Sequence, residues 1–178
     1  MHTMNATDPQ RQFELVVMPH LDAPYNLARW LAGNDHDAED ITQEASLRAF
    51  RFLGGFRGGN SRSWLLTIVR NTAYTWLKQN RPHAIVSIDD DDLHEIEDPT
   101  ALKEHASALN HADRDVLRAA LEQLPTEFRE VLILRELEGL SYKEISEVAD
   151  APIGTVMSRL ARARKQLQDF LAKKGELP

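Results

Sequence analysis

Nearly all of the chain's excess charge lies in one stretch, and that stretch divides the molecule. Residues 84–112 carry eight acidic side chains against a single lysine, among them the run Asp89–Asp92, then Glu95, Glu97 and Asp98 before Pro99. The stretch follows Arg81-Pro82, has few large apolar residues and shows no sustained periodicity. Such a self-repelling segment reads as a linker between two domains. Calcium binding by the Asp run is not expected, because no Gly-turn loop with a spaced terminal Glu follows it. The length of 178 residues allows two small domains, here 1–83 and 113–178.

Outside the linker the charge nearly balances, at +1 over residues 1–83 and −1 over residues 113–178. Within the second piece, Thr155–Lys174 holds six basic residues and one acidic residue. The overall net charge of −7 therefore does not speak against nucleic acid, since such binding depends on local patches. A hydrophobic fraction of 42% is enough for packed cores. The absence of cysteine excludes a disulfide scaffold, thiolate zinc sites and a cysteine nucleophile. No run approaches the roughly 18–20 apolar residues of a transmembrane helix, and Met1–Gln12 lacks the layout of a signal peptide. A cytoplasmic protein without membrane insertion is expected.

Apolar residues recur at helical spacing in both pieces, so the expected fold class is all-α, with two small helical domains. In the first, Phe13–Trp30 is interrupted by Pro19 and Pro24, which predicts a two-piece or kinked helix. Gly33-Asn34-Asp35 predicts a turn, and Asp37–Leu53 an unbroken helix with acids at its start. Gly54–Ser61 predicts a loop that carries Phe56 and Arg57 between glycine pairs. Trp64, Leu65, Ile68, Val69, Thr72, Ala73, Trp76 and Leu77 then predict an amphipathic helix. In the second, Val116–Leu124 and Phe128–Leu137 are two helical patterns separated by Pro125. Ser141-x-x-Glu144 is a capping box that opens a short helix. After the turn Asp150–Gly154, the residues Ile153, Val156, Leu160, Ala163, Leu167 and Leu171 predict the apolar seam of a long last helix.

A short helix, a tight turn and a longer helix with a basic outer face make a helix-turn-helix. With Val156 and Leu160 inward, Thr155, Ser158, Arg159, Arg162 and Lys165 are expected to project outward. There the hydroxyls suit phosphate contacts and the arginines suit guanine edges or phosphates. The plain alternative is a basic amphipathic helix with solvated charges. A second candidate is the glycine-rich loop with its following helix, where Phe56, Trp64, Tyr74 and Trp76 sit near Arg57, Arg62, Arg70 and Asn71. Flat faces interleaved with cations are what single-stranded nucleic acid requires. For Trp64 and Trp76 a place in the core is the favoured reading, whereas Phe56 between glycines is harder to explain as core.

The blocks Asp37–Ala45, Phe56-Arg57 and Trp64–Ala73 resemble region 2 of extracytoplasmic-function (ECF) sigma factors. Leu124-Pro125, Phe128–Val131, Leu137–Ile145 and Gly154–Arg164 resemble their region 4, in the family's order and across a variable linker. The resemblance implies a non-catalytic subunit, with no cofactor or metal, that binds core RNA polymerase and directs it to promoters. Region 2 would dock on the clamp helices of the largest catalytic subunit through Asp37, Asp40, Gln43 and Glu44. It would read and open the −10 element with Phe56, Arg57, Asn60, Ser61, Arg62 and Asn71, by capturing an unstacked base. Region 4 would engage the flap of the second-largest subunit and place its last helix on the −35 element. The contact positions carried over from the family are Met157, Ser158, Ala161 and Arg162, to which helical geometry adds Thr155, Arg159 and Lys165. Some relatives carry arginine and a bulky aromatic where this chain has Met157 and Ala161, so their base contacts do not transfer. An anti-sigma factor is the expected regulatory partner by analogy, and the linker would run through the RNA-exit path. A regulator with a sensing domain and a helix-turn-helix would explain residues 113–178, but not the two N-terminal blocks. An enzyme is disfavoured because no P-loop, Gly-x-Ser-x-Gly or His-Glu-x-x-His occurs.

Overall fold

The computed structural model describes residues 8–85 and 111–174. The acidic run from Asp89 to Pro99, expected as a linker, lies outside them. The chain forms two compact units, residues 1–76 and 77–178, with the division inside one long helix. Among the described residues the regular structure is helical.

The first unit opens with α1 (Pro9–Val16), a 3₁₀ turn at Met18–His20 and α2 (Asp22–Ala32). Pro19 marks the interruption, as expected. Pro24 does not break the chain, because it lies in the first turn of α2, where a backbone N–H has no intrahelical acceptor. Gly33 ends α2 in the left-handed conformation, φ 86°, and returns its N–H to the Arg29 carbonyl. Asn34 then caps α3 (Asp35–Phe52). Arg29 Nε reaches Asp35 Oδ1 at 2.7 Å and the Tyr25 hydroxyl donates to the same oxygen at 3.2 Å, tying α2 to the first turn of α3. Partial desolvation, and after it the Asp35 carboxylate, raise the Tyr25 phenol above its ordinary pKa. A 3₁₀ turn at Leu53–Gly55 leads through the loop to α4 (Ser61–Asn80). Val17, Ala49 and Leu65 form a buried cluster, with Phe13, Val16, Trp64 and Ile68 packed against it, so α1, α3 and α4 share one core.

The second unit comprises α5 (His111–Gln123), α6 (Thr126–Glu136), α7 (Tyr142–Ala149) and α8 (Ile153–Lys173). The capping box is present in full: Ser141 Oγ accepts from the Glu144 N–H at 3.2 Å, and Glu144 Oε2 accepts from the Ser141 N–H at 2.7 Å. Gly139, φ 68°, turns the chain between α6 and α7, and Arg135 holds the corner by donating to the Leu140 carbonyl at 2.8 Å. Asp150, φ 50°, ends α7 in the left-handed region that Asp tolerates. α8 packs on α5, α6 and α7. Its seam is Val156, Leu160, Ala163, Leu167 and Leu171, all buried. Ile153, expected in that seam, is 44% exposed, because as the first residue of α8 it extends past the neighbours that would cover it. Leu137 is likewise exposed beyond the end of α6.

Two arginines of α8 face inward. Arg164 Nη2 donates to Glu136 Oε1 at 2.7 Å, with both side chains nearly buried. Arg159 Nη2 stands 3.4 Å from Glu127 Oε2 without hydrogen-bond alignment, so that contact is Coulombic. Removing one member of a buried pair takes away the nearest counter-ion of the other, here Glu136 from Arg164. Glu136→Ala is therefore expected to lower the unfolding free energy of the second unit by about 3–5 kcal/mol. Replacing both partners, Glu136→Leu with Arg164→Met, should recover most of that loss. Urea titration of the full chain, followed by circular dichroism, measures both. Equal losses would mean that packing, and not the lost counter-ion, sets the cost.

Candidate functional site

The start of α8 is the most exposed surface of the helix-turn-helix. Pro152, φ −56°, sets the entry and its carbonyl accepts the first helical N–H, from Val156, at 3.0 Å. Thr155, Ser158 and Arg162 are half-buried, while Met157 and Lys165 are exposed. Ser158 Oγ donates to the Thr155 carbonyl at 3.0 Å, so its proton is already committed within the helix. Arg159 does not project outward as expected: it is 9% exposed and ion-paired to Glu127 of α6. It lies three residues after Val156, on the margin of the seam, and an acid on the facing helix turns it inward. Ala161 is also buried. The outward cations of these turns are Arg162 and Lys165.

The loop of the first unit is more ordered than its glycines suggest. Phe56 is half-buried, with its ring 5.1 Å from that of Trp64 and tilted by 52°. Trp64 is itself half-buried, and the two rings anchor the loop to α4. Gly58 and Gly59 follow at φ 87° and 91°, a pair of left-handed residues that side chains other than glycine rarely adopt. Asn60 caps α4, its Oδ1 accepting from the Ser63 N–H at 3.1 Å. Ser61 Oγ is 3.0 Å from His20 Nε2, tying the loop to the turn after α1. Arg57 and Asn60 are exposed and Arg62 is half-buried. Asn71 stands exposed further along α4, accepting from Arg70 Nη1 at 3.3 Å, and the Arg70 guanidinium lies 4.0 Å over the Tyr74 ring. Asn60 and Ser61 thus already serve the local fold, whereas Arg57 and one side of Phe56 face outward.

The outer face of α3 is the third surface. Asp40, Gln43 and Glu44 are exposed on it, as expected. Asp37 is buried instead. Its N–H donates to Asn34 Oδ1 at 2.9 Å, and its Oδ2 accepts from Asn34 Nδ2 at 2.5 Å. Asn34-x-x-Asp37 is a capping pattern legible in the sequence, and it is the signal that separates Asp37 from its neighbours. His36, Asp37 and Asp40 offer ligand atoms within 4.8 Å of one another, but the one buried carboxylate among them is already held by Asn34. Glu44 pairs with Arg48 at 3.0 Å along the helix. Leu47, 56% exposed, continues the face one turn beyond Gln43 and Glu44. Sequence periodicity missed it, because an exposed leucine is indistinguishable from a buried one by residue type.

Residues 16–83 match the family model for sigma-70 region 2, and residues 114–167 match that for sigma-70 region 4. The ECF RNA polymerase sigma factor SigE of Mycolicibacterium smegmatis is 39% identical over 159 residues, which covers 89% of this chain and 61% of that protein. RNA polymerase sigma-H factor of Pseudomonas aeruginosa is 35% identical over 91% of this chain and 87% of its own length. ECF RNA polymerase sigma-E factor of Escherichia coli K12 is 35% identical over 90% and 86%. Among solved structures, the sigma factor RpoE of Bartonella quintana, in complex with the anti-sigma factor NepR, superposes with a TM-score of 0.70 at 29% identity, covering 91% of this chain and 98% of that one. CnrH, in complex with the cytosolic domain of CnrY, shares the fold with a TM-score of 0.64. With regions 2 and 4 in order and relatives matched over most of their length, the chain belongs to the ECF group of the sigma-70 family of RNA polymerase sigma factors.

Proposed function

We propose that this chain binds core RNA polymerase in the cytoplasm as a non-catalytic subunit, and that it selects promoters by their −10 and −35 elements and helps open the −10 DNA. The observation that carries this reading is the pairing of two surfaces in one chain: an acidic, leucine-bearing helix face on α3 and a cation-bearing helix-turn-helix ending in α8. Neither surface supplies chemistry, so the phosphodiester bond is the polymerase's work. Among the described residues no helix is long and apolar enough to cross a membrane.

Asp40, Gln43, Glu44 and Leu47 dock on the clamp helices of the largest catalytic subunit, where the acids steer assembly and the leucine adds apolar contact. Asp37 acts on that interface indirectly, by fixing the start of α3. The second unit meets the flap of the second-largest subunit. Loop residues Phe56 and Arg57, with Arg62 and Asn71 on α4, hold an unstacked base of the −10 strand, offsetting an unstacking cost of a few kcal/mol. Asn60 and Ser61 shape that pocket. Thr155, Met157, Ser158, Arg162 and Lys165 face the −35 major groove, while Arg159 sets the rotation of α8 and Ala161 permits close approach. Control by an anti-sigma factor is supported by the relative RpoE, whose structure contains one.

Asp40→Arg with Glu44→Arg is expected to abolish retention on immobilised core polymerase while leaving helical content unchanged. The two like-charge pairs this creates, position 40 with 44 and 44 with Arg48, cost an exposed helix only about 0.2–0.5 kcal/mol each. Undiminished retention would remove α3 as the docking helix.

Phe56→Ala or Asn71→Ala should leave closed promoter complexes intact and slow strand opening, read as reduced permanganate reactivity of −10 thymines. Arg162→Ala should weaken −35 binding by about 1–3 kcal/mol if its guanidinium bonds a base. If it meets phosphate alone, the loss should be uniform across sequences and the salt slope should fall by about one. Competition binding at several salt concentrations separates the two. An unchanged affinity and slope would place Arg162 outside the interface.

A further inference from the structure

Along one edge of α8, residues 153, 157, 161 and 165 stack at four-residue intervals, so they form a single ridge from the N-terminal end of the helix. The first three are Ile153, Met157 and Ala161, and the fourth is Lys165. Ile153 is 44% and Met157 50% exposed, although other apolar residues of α8 (Val156, Leu160, Leu167 and Leu171) are buried. Ala161 is covered, and Ser158 beside the ridge has its proton turned onto the Thr155 carbonyl. The leading edge of this helix therefore offers a DNA groove a thioether and a branched alkyl group, with no amide and no guanidinium until Arg162 on the neighbouring edge.

In the major groove the four bases differ in donors and acceptors, but thymine alone presents an apolar group, its 5-methyl. The N-terminal residues of the second helix of a helix-turn-helix are those that reach base edges. Resting on the reading of α8 as the −35 helix, we propose that Met157, flanked by Ile153, is a specificity-determining residue that recognises the methyl group of a thymine in the −35 element. Lys165, two turns along the same ridge, meets phosphate and carries no sequence information. The apolar pair is then buried by the DNA itself, and the lysine at the end of the ridge favours a polyanion over an apolar protein surface.

The test uses the full chain with core polymerase. Run-off transcription on a genomic library first identifies a promoter. Each −35 thymine is then replaced by deoxyuridine, which removes the methyl and nothing else. At one thymine the replacement is expected to weaken binding of the wild-type holoenzyme about fourfold, the worth of one buried methyl-sized group. Met157→Ala should bind the thymine and deoxyuridine duplexes equally at that position, and Met157→Leu should restore the difference. Lys165→Ala should weaken both duplexes alike and lower the salt slope. Indifference of the wild type to every −35 methyl would overturn the proposal, as would discrimination retained by Met157→Ala. Weaker assembly of Met157→Ala with core enzyme in the absence of DNA, with methyl discrimination intact, would also overturn it by making the ridge a protein contact. Failure to initiate at any promoter would instead defeat the sigma-factor reading itself, an outcome distinct from methyl indifference at a working promoter.

Discussion

The guanidinium of Arg164, 2.7 Å from Glu136 and almost wholly out of water, fixes the rotation of α8 about its own axis. A row of leucines and alanines alone would tolerate some rolling, since apolar contact is non-directional. A charge-assisted hydrogen bond is directional, and a buried one is costly to misalign. Arg159 against Glu127 adds a second point of attachment near the N-terminal end of the helix. Together these contacts to α6 determine which residues of α8 face away from the core. The basic character of this segment thus has two parts: two arginines hold the helix in place, while Arg162 and Lys165 remain on its outer side.

The first unit uses its polar groups in a similar way. Asn34 and Asp37 satisfy one another and define where α3 begins, and Arg29 with Tyr25 ties that start to α2 through Asp35. The outer face of α3 then carries contacts along its own helix, Glu44 with Arg48 and Asp40 with His36 at 3.8 Å among them. At the other end of α3, the Phe56–Trp64 ring contact and the Ser61–His20 hydrogen bond secure a loop whose glycines would otherwise leave it unconstrained. Ordering such a loop before it meets a ligand reduces the entropy lost on binding.

Helix positions and the helix-turn-helix were legible in the sequence because periodicity, the capping box and proline punctuation all agree there. What escaped was decided across space or at helix ends. Ile153 fits the seam's period, yet periodicity assumes a neighbour to cover each position, and at the start of α8 Ile153 stays 44% exposed. Arg159 reads as outward because it is charged, and Glu127 lies on another helix. Phe56 between glycines is hard to explain as core from the sequence, and Trp64, beyond the loop, supplies the second ring. Asp37 belongs to the docking set only by resemblance to region 2, and its spacing from Asn34 carries the capping signal that explains its burial.

The separation on α8 between holding and outward residues also bears on how such a chain can change over generations. Surface substitutions away from packed or paired groups usually shift stability by no more than about 0.5 kcal/mol, whereas breaking a buried pair costs several times as much. Met157 and Lys165 lie in the permissive class, while Arg159 and Arg164, equally cationic, do not. Duplicated copies could therefore acquire new DNA preferences through a handful of replacements on one ridge, with the rest of the fold unaffected. Two arginines of the same helix would be retained throughout for reasons unrelated to DNA, and counting its basic residues would overstate how many of them read it.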